Sequence, residues 1–288
     1  MQAIQFEQFS YHYPKTGTGL DRVSLTIPYG SFTVLTGANG GGKTTLCLAM
    51  TGLVPHFFGG SLSGQVLVEG QSTAGRSVAE TAGGVGIVME DYESQLVSLT
   101  VFEEIAFALE NQGLPAALIK ERVSEALAAV GLDGLEQREL SALSGGQKQR
   151  LAVASVIASQ PKILVLDEPA SALDPEGAEE LYALLAKLNR EQGITVIVAD
   201  HDLARAMPYA DTVVVMEQGR VALQGTPTEV FAKMLSGQIY AAAVPALRRL
   251  KGRLEREHQA LSDWLTADAA ASEINALLSP KRRLSLSA

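Results

Sequence analysis

The chain has 288 residues, 47% of them hydrophobic, and its 32 Asp and Glu against 23 Lys and Arg give a net charge of −9. This length suits one large core with an appendage, and the acidity argues against a protein that binds nucleic acid through its phosphates regardless of sequence. No apolar run approaches the roughly 18 residues that span a bilayer, no signal peptide is visible, and the single cysteine, Cys47, excludes an intrachain disulfide, so we expect a soluble protein of the reducing cytoplasm.

The predicted strands are short apolar runs. Residues 3–36 are typical of short antiparallel strands, and SFTVLTG, at 31–37, stops at a glycine before the helix-forming run GKTTLCLAMTGL. KILVLDEP and ITVIVADHD are β-branched runs that end in acids or histidine, as strands buried on both faces of a parallel sheet do. Helical segments at about 175–190 and 202–209 alternate with them, which predicts an α/β fold.

Residues 101–160 contain no convincing strand. Their runs TVFEEIAFALEN and ALIKERVSEALAAVGL repeat apolar residues at spacings of three and four, as amphipathic helices do. We therefore expect an α-helical subdomain, at about 92–160, inserted in the α/β core.

The segment GANGGGKT follows a predicted strand and opens a predicted helix, as the P-loop pattern G-x-x-x-x-G-K-[ST] requires. Its glycines let backbone N–H groups surround phosphate oxygens, and the helix N-terminus adds favourable partial charge. Lys43 is expected to reach the β- and γ-phosphates and the Thr44 hydroxyl to ligate Mg²⁺. The residues predicted to bind nucleotide here are Gly37, Ala38, Asn39, Gly40, Gly41, Gly42, Lys43, Thr44 and Thr45.

Two adjacent acids end the strand ILVLD. Asp167 is expected to hold Mg²⁺, directly or through a bound water. Glu168 is the natural general base to orient or deprotonate an attacking water. These features alone leave kinases, GTPases and many ATPases open.

A second glycine-rich segment narrows the field. LSGGQ, Leu143 to Gln147, precedes the helix KQRLAVASVIAS, so a serine hydroxyl and glycine N–H groups form a second anion-binding helix N-terminus. One chain cannot easily close both sites over the same nucleotide. With this segment in place, residues 3 to about 235 resemble the ATP-binding subunits of ABC transporters.

The resemblance implies roles by position. Tyr13 in FSYHYP matches the adenine-stacking aromatic, with Tyr11 the alternative, SALD (Ser171–Asp174) matches the D-loop, and His201 in ADHD matches the switch histidine that contacts the γ-phosphate. It also implies a P-loop NTPase with a RecA-like parallel sheet and an antiparallel β subdomain. Two such domains would dimerise head to tail, with ATP between the P-loop of one and the signature of the other. The signature and D-loop residues expected at the nucleotide are Ser144, Gly145, Gly146, Gln147 and Asp174.

The chain departs from this family at Glu90, where the pattern has a glutamine that reaches Mg²⁺ and the attacking water. Glutamate keeps a metal-ligating oxygen but loses the N–H donor, and it adds negative charge near the γ-phosphate. Gln95 lies five residues too late to replace the glutamine. Glu90 is either the functional equivalent, with altered coupling between hydrolysis and transport, or a tolerated substitution with little effect.

A finer resemblance concerns the type of transporter. TGLVPHFFGGSLSGQVLVEG, YESQLVSLTVFEEIAFALEN and the helical tail resemble energy-coupling-factor (ECF) transporters. These import vitamins or transition-metal ions with two ATPases, a transmembrane coupling protein and a substrate-binding membrane protein, which implies a peripheral protein at the cytoplasmic face of the membrane. The alternatives are the ATPase of an ordinary ABC importer, a soluble ABC ATPase of DNA repair or translation, and a regulator that hydrolyses poorly. A second ATPase is required, either identical or related.

A change in composition near Gly225 predicts a domain boundary, with the nucleotide-binding domain at 1–225 and a helical extension at 226–288. From Leu223 onward nine Lys and Arg outnumber six Asp and Glu, and leucines recur at 247, 250, 254, 261 and 265. The arginines are expected on other sides of that helix, with Lys251 at the edge of the leucine stripe; a second basic cluster is Lys281–Arg283. Packing on its own domain, dimerisation and contact with anionic lipid remain open, and the resemblance favours dimerisation.

Overall fold

The computed structural model describes residues 2–237, 239–257, 261–262, 264 and 267–278. The strands are β1 (Gln2–His12), β2 (Gly19–Pro28), β3 (Phe32–Gly37), β4 (Ser61–Val68), β5 (Gln71–Ser72), β6 (Val85–Val88), β7 (Ile163–Asp167), β8 (Thr195–Ala199), β9 (Thr212–Glu217) and β10 (Arg220–Gly225). The helices are α1 (Lys43–Met50), α2 (Leu53–His56), α3 (Val78–Ala82), α4 (Val101–Asn111), α5 (Ala116–Val130), α6 (Gly145–Ile157), α7 (Pro175–Gln192), α8 (Leu203–Ala206), α9 (Pro227–Gly237), α10 (Ala246–Glu257) and α11 (Ala267–Leu278).

Two sheets form the body of the protein. Six strands lie in the order β10-β9-β3-β8-β7-β6, all parallel except the edge strand β10, and β2-β1-β4-β5 form an antiparallel sheet. The helices α4, α5 and α6 are inserted between β6 and β7, and no named strand interrupts residues 101–160. The predicted α/β class, antiparallel subdomain and helical insertion are confirmed.

One detail of the strand prediction was wrong. Residues 3–36 were expected to be antiparallel throughout, but β3 pairs in parallel with both β8 and β9. All six residues of β3 are buried, because a central strand of a parallel sheet is covered on both faces.

The parallel register brings the predicted motifs to one edge of the sheet. Asp167 lies opposite Ala199, and Gly37 lies opposite Met216. Since β3, β7 and β8 end at this edge, the loops that follow them meet there, as expected for an α/β sheet. Helix α1 begins at the same edge with seven of its eight residues buried, which holds its N-terminus in place.

The carboxyl-terminal helices depart from the expected leucine stripe. In α10 it is Arg248 and Lys251 that are buried, whereas Leu250 is 44% exposed. The Arg248 guanidinium lies 5.8 Å from the centre of the Phe231 ring of α9, and long basic side chains can cover apolar surface with their stems. Leu265 and the cluster Lys281–Arg283 lie outside the described residues.

None of the helices in the described part of the chain is both long enough and apolar enough to cross a bilayer.

Candidate active site

The P-loop connects β3 to α1 through a tightly packed turn. Gly37 has φ of 142°, and a Cβ there would lie 2.1 Å from the Met216 carbonyl oxygen. Gly42, the N-cap of α1, has φ of 103° and no side-chain cap. Only glycine adopts such conformations at little cost. The Lys43 ammonium, which is buried, donates to the Gly37 carbonyl at 3.1 Å.

An open cleft of about 840 Å³ lies over this loop. Its size is within the range of small-molecule sites. Most of the predicted P-loop residues line it, together with Tyr13, Glu90, Glu168 and His201. The fold therefore brings residues from five separated parts of the sequence around one space.

The carboxylate of Asp167 has the features of a cation ligand. It is buried, and its Oδ1 has no hydrogen-bond partner within the described residues. Burial raises its pKa, with the nearby charges of Glu168 and Glu90 adding to the rise, while the Thr44 hydroxyl and Lys43 act in the opposite direction. A divalent cation prefers such oxygen ligands and would offset this concentration of negative charge. Asp167 and Thr44 thus fit Mg²⁺ by their chemistry.

Glu168 and His201 are already in contact. The Glu168 Oε2 lies 2.6 Å from Nδ1 of His201, and its Oε1 lies 3.8 Å from the Lys43 ammonium. The hydrogen bond to Glu168 raises the pKa of His201, against a smaller opposite effect of burial. The imidazole is therefore protonated up to a higher pH than an isolated histidine, and in this form both ring nitrogens are donors.

Asp200 lies next to His201, and Tyr182 is hydrogen-bonded to Asp200. No role was assigned to either residue from the sequence. Asp200 is buried, with Oδ1 3.7 Å from His201 Nδ1 and Oδ2 accepting a hydrogen bond from the Tyr182 hydroxyl. Burial raises the pKa of Tyr182 well above its usual range, and the Asp200 charge adds to the rise. The acid in ADHD was a visible signal for Asp200. Tyr182, one of several apolar-face residues of α7, offered none.

The two tyrosines proposed for base stacking differ in position. Tyr11 is buried and donates from its hydroxyl to the Gly59 carbonyl at 2.7 Å. Tyr13 lines the cleft, and its hydroxyl lies 3.3 Å from that of Thr45. Only Tyr13 is open to a ligand in the cleft.

Glu90 is exposed at the mouth of the cleft, while Gln95 is held elsewhere. The Gln95 Oε1 accepts from the Met89 N–H at 2.8 Å, and its Nε2 donates to the Ile87 carbonyl at 3.3 Å. Both ends of this amide are hydrogen-bonded to the backbone at the end of β6. Gln95 therefore cannot take the place of Glu90 unless these two hydrogen bonds break.

The signature segment does not line the cleft. Ser144 is the N-cap of α6 and forms a capping box with Gln147: the Ser144 Oγ accepts from the Gln147 N–H, and the Gln147 Oε1 accepts from the Ser144 N–H at 2.9 Å. Gly145 accepts from the Tyr92 hydroxyl at 3.4 Å. Asp174, also outside the cleft, caps α7 by accepting from the Gly177 N–H at 2.7 Å. These predicted nucleotide contacts therefore do not line the cleft over the P-loop of their own chain.

Known proteins similar to this chain agree with the motif order. A sequence model of the ABC transporter family matches residues 20–171. A Pyrococcus abyssi protein described as an ABC transporter ATP-binding protein is 43% identical over 232 residues, which are 80% of this chain and 83% of that protein.

Solved structures resemble the chain as well. CbiO1 of Clostridium perfringens, part of the ABC transporter complex CbiONQ, has a TM-score of 0.74 at 35% identity, covering 88% of this chain and 96% of CbiO1. The ATP-binding cassette MJ0796, in a dimeric post-hydrolysis state bound to ADP and Pi, has a TM-score of 0.68 at 26% identity, covering 77% of this chain and 98% of that one.

Proposed function

We propose, from the premise that this chain belongs to the ABC transporter family of P-loop ATPases, that it energises an ECF-type importer of a vitamin or a transition-metal ion. The observation that carries this proposal is the likeness to CbiO1, which extends over 88% of the chain. The segments around PHFFGG, ESQL and AFALEN support it. The ordinary ABC importer and the soluble ABC ATPase are the alternatives that the experiment below separates.

Within the cleft, each predicted residue has a distinct task in ATP hydrolysis. The P-loop and Lys43 bind the phosphates, and Tyr13 stacks on the base. Thr44, Asp167 and Glu90 would hold Mg²⁺, which would supply positive charge to offset the charge that develops on the phosphates. Glu168 accepts a hydrogen bond from the attacking water and takes up its proton as the oxygen bonds to the γ-phosphorus. The bond between this phosphorus and the β–γ bridging oxygen breaks at the same time, and ADP leaves with the bonding electron pair.

The contact between Glu168 and His201 has to change during this step. In the present structure Glu168 Oε2 is engaged by His201 Nδ1. The exposed imidazole can turn toward the γ-phosphate, where its N–H donors stabilise the transferred group. That movement frees Oε2 for the attacking water, so nucleotide binding and activation of Glu168 are linked.

A second cassette completes the site. The Ser144–Gln147 segment and Asp174 lie outside the cleft of their own chain, and a helix N-terminus favours an anion. In a head-to-tail dimer they contact the nucleotide held by the partner's P-loop. The partner is either a second copy or a related chain.

Three exposed apolar residues that follow Glu90 in the chain are suited to a membrane partner. Val97, Leu99 and Phe107 are all exposed. The buried carboxylate of Glu104 accepts from the N–H groups of Val97 and Ser98, both at 2.9 Å, and so fixes the loop. Exposed apolar side chains on or next to a hydrogen-bonded loop indicate a contact surface. We assign this surface to the transmembrane coupling protein, and we propose the cytoplasmic face of the membrane as the location of the chain.

Purification from membranes tests this function. A tagged chain expressed in its own host should bring with it a coupling protein and a small substrate-binding membrane protein. Leu99→Asp should lose both, because a carboxylate cannot enter an apolar contact without a large desolvation cost. Ala128→Asp, at an exposed site of α5 in the same subdomain, is the matched control. Recovery of an external solute-binding protein would indicate an ordinary importer, and recovery of nucleic acid without membrane proteins would contradict transport.

We assign the nucleotide-binding domain to 1–225 and a dimerising extension to 226–288. The helices α9 and α10 pack on each other, and Arg248 covers Phe231. Removing residues 236–288 should weaken association of two chains in the absence of nucleotide, as measured by sedimentation. A truncated chain that dimerises like the full chain would contradict this role.

A further inference from the structure

The segment that follows α2 packs against the end of β1, next to the nucleotide cleft. The Phe57 and Gly59 N–H groups donate to Leu53 and Pro55 carbonyls at 2.8 and 2.7 Å, which closes a compact turn. The Gly59 carbonyl accepts the Tyr11 hydroxyl at 2.7 Å. A Cβ on Gly60 would lie 2.4 Å from the His12 carbonyl oxygen. The turn is thus tied to the strand end that carries Tyr13.

This turn places an aromatic ring against Tyr13. The ring centres of Phe58 and Tyr13 are 6.0 Å apart with the planes at 87°, and those of Tyr11 and Tyr13 are 4.9 Å apart at 79°. Both are edge-to-face arrangements, which are favourable for aromatic pairs. With the Thr45 hydroxyl 3.3 Å from its own, Tyr13 is restrained by three neighbours.

Phe58 is not explained by burial in a core. Its side chain is 41% exposed, and the adjacent Phe57 is 77% exposed. Phe58 does not line the cleft, so any influence on a ligand passes through Tyr13. The Phe58 ring is partly exposed to solvent and contacts Tyr13, which faces the cleft. This contact with Tyr13 is therefore the feature of Phe58 that can affect a ligand.

We propose that Phe58 is a positioning residue that holds the Tyr13 ring in the orientation that stacks on the nucleotide base. This inference rests on the proposed role of Tyr13 in the function above. Phe58 limits the rotation of Tyr13 before the nucleotide arrives, so less conformational entropy is lost on binding. Stacking accepts any base, so the contribution is to affinity for the base in general rather than to a choice of adenine.

Competition binding to the full chain tests this with three probes: ATP, GTP and inorganic tripolyphosphate. Phe58→Ala and Phe58→Leu should each weaken ATP and GTP about two- to tenfold, the range of an aromatic pair energy, and leave tripolyphosphate unchanged because the P-loop is intact. Phe58→Tyr, which keeps an aromatic ring at this position, should bind ATP with near wild-type affinity. In steady-state hydrolysis assays of Phe58→Ala, kcat should stay near the wild-type value while the KM for ATP rises. Leu118→Ala, which shortens a half-buried apolar side chain on α5, is the control for loss of apolar surface and should change none of these values.

Wild-type ATP affinity in both Phe58→Ala and Phe58→Leu would overturn the proposal. So would an equal loss of ATP and tripolyphosphate affinity, which would indicate general damage to the fold. A wild-type chain that binds neither ATP nor tripolyphosphate would instead contradict the proposed function, so the two failures are distinguishable.

Discussion

Two helix N-termini in this protein, both predicted to bind phosphate, are capped in different ways. Helix α1 begins at Gly42, a left-handed glycine with no side-chain cap, and its N-terminus opens into the cleft. Helix α6 begins at Ser144, whose hydroxyl and backbone N–H are both engaged by Gln147. The first lies beside the buried Lys43, whereas the signature segment contributes nothing to the cleft.

The difference indicates how the work is divided between two chains. On the P-loop side, Glu168 contacts both Lys43 and His201 within one chain, so we expect this side to bind nucleotide without a partner. On the signature side, the N-terminus of α6 is capped and lies outside the cleft. We expect the ATP held by the partner's P-loop to replace or add to the hydrogen bonds of this capping box. Substitutions on the two sides should therefore separate binding from assembly.

The largest expected effect is on the P-loop side, from Glu168→Gln. The amide keeps the shape of the carboxylate but cannot take up a proton, so ATP hydrolysis by the assembled complex should fall about 10²–10⁴-fold while ATP binding persists. The pKa of His201 should also fall, since the hydrogen bond to Glu168 is the main reason it is raised. Phosphate release and an imidazole NMR titration measure the two.

Glu121→Gln, at an exposed site of α5, is the control for loss of one carboxylate. Unchanged hydrolysis in Glu168→Gln would remove Glu168 as the general base, and an unchanged His201 pKa would contradict the observed contact.

The next largest effect should come from the signature side, with Gly145→Asp. A Cβ at Gly145 meets only the Tyr92 hydroxyl, at 3.7 Å, so aspartate fits, but its carboxylate would oppose the γ-phosphate of the partner's ATP. Hydrolysis by the complex should fall sharply while ATP binding to the isolated chain stays near wild type. A homodimer should lose both sites and a heterodimer one.

Gly145→Ala adds the Cβ without the charge and should be much milder. Wild-type hydrolysis in Gly145→Asp would overturn the assignment of this segment to the partner's nucleotide.

A smaller effect is expected from Glu90→Gln at the mouth of the cleft. Removing this charge lowers the pKa of Asp167, because Glu90 is one of the groups that raise it, and lessens repulsion of the triphosphate. Mg²⁺–ATP should bind about two- to tenfold more tightly, as for one screened charge, and the ratio of uptake to ATP hydrolysis should change. With Glu110→Gln on α4 as control, unchanged hydrolysis and uptake would make Glu90 a tolerated substitution.

The smallest effect concerns the cap that distinguishes the two helices. Ser144→Ala removes the capping hydroxyl of α6 and should lower the free energy of unfolding by about 1 kcal/mol, whereas Ser144→Gly should cost only a few tenths. Urea unfolding of the isolated chain measures this, with ATP binding unchanged in both. Equal stability of wild type and Ser144→Ala would show that the capping box does not stabilise α6.

How far the sequence predicted the structure depended on the distance over which each signal acts. The predicted helical insertion was confirmed. The apolar spacing that indicates α4 and α5 depends only on residues close together in the chain, so it can be read without knowledge of the tertiary contacts. The parallel pairing of β3 was missed, because its apolar run suits either sheet and only its neighbours β8 and β9 decide. In α10 the leucine spacing suggested a packing face, but contact with Phe231 placed Arg248 inside and left Leu250 exposed.

The sequence by itself determined the family, the ATPase activity and the order of the motifs, since each motif depends on a few adjacent residues whose spacing sets a turn or a helix start. The roles of the individual site residues in nucleotide binding and hydrolysis stay predictions. Tertiary structure alone decided that Tyr13 rather than Tyr11 faces the cleft, that Gln95 braces β6, and that Asp200 and Tyr182 stand behind His201. Each of these depends on which surfaces the packed sheets and helices leave open, and that is set by contacts between residues far apart in the chain.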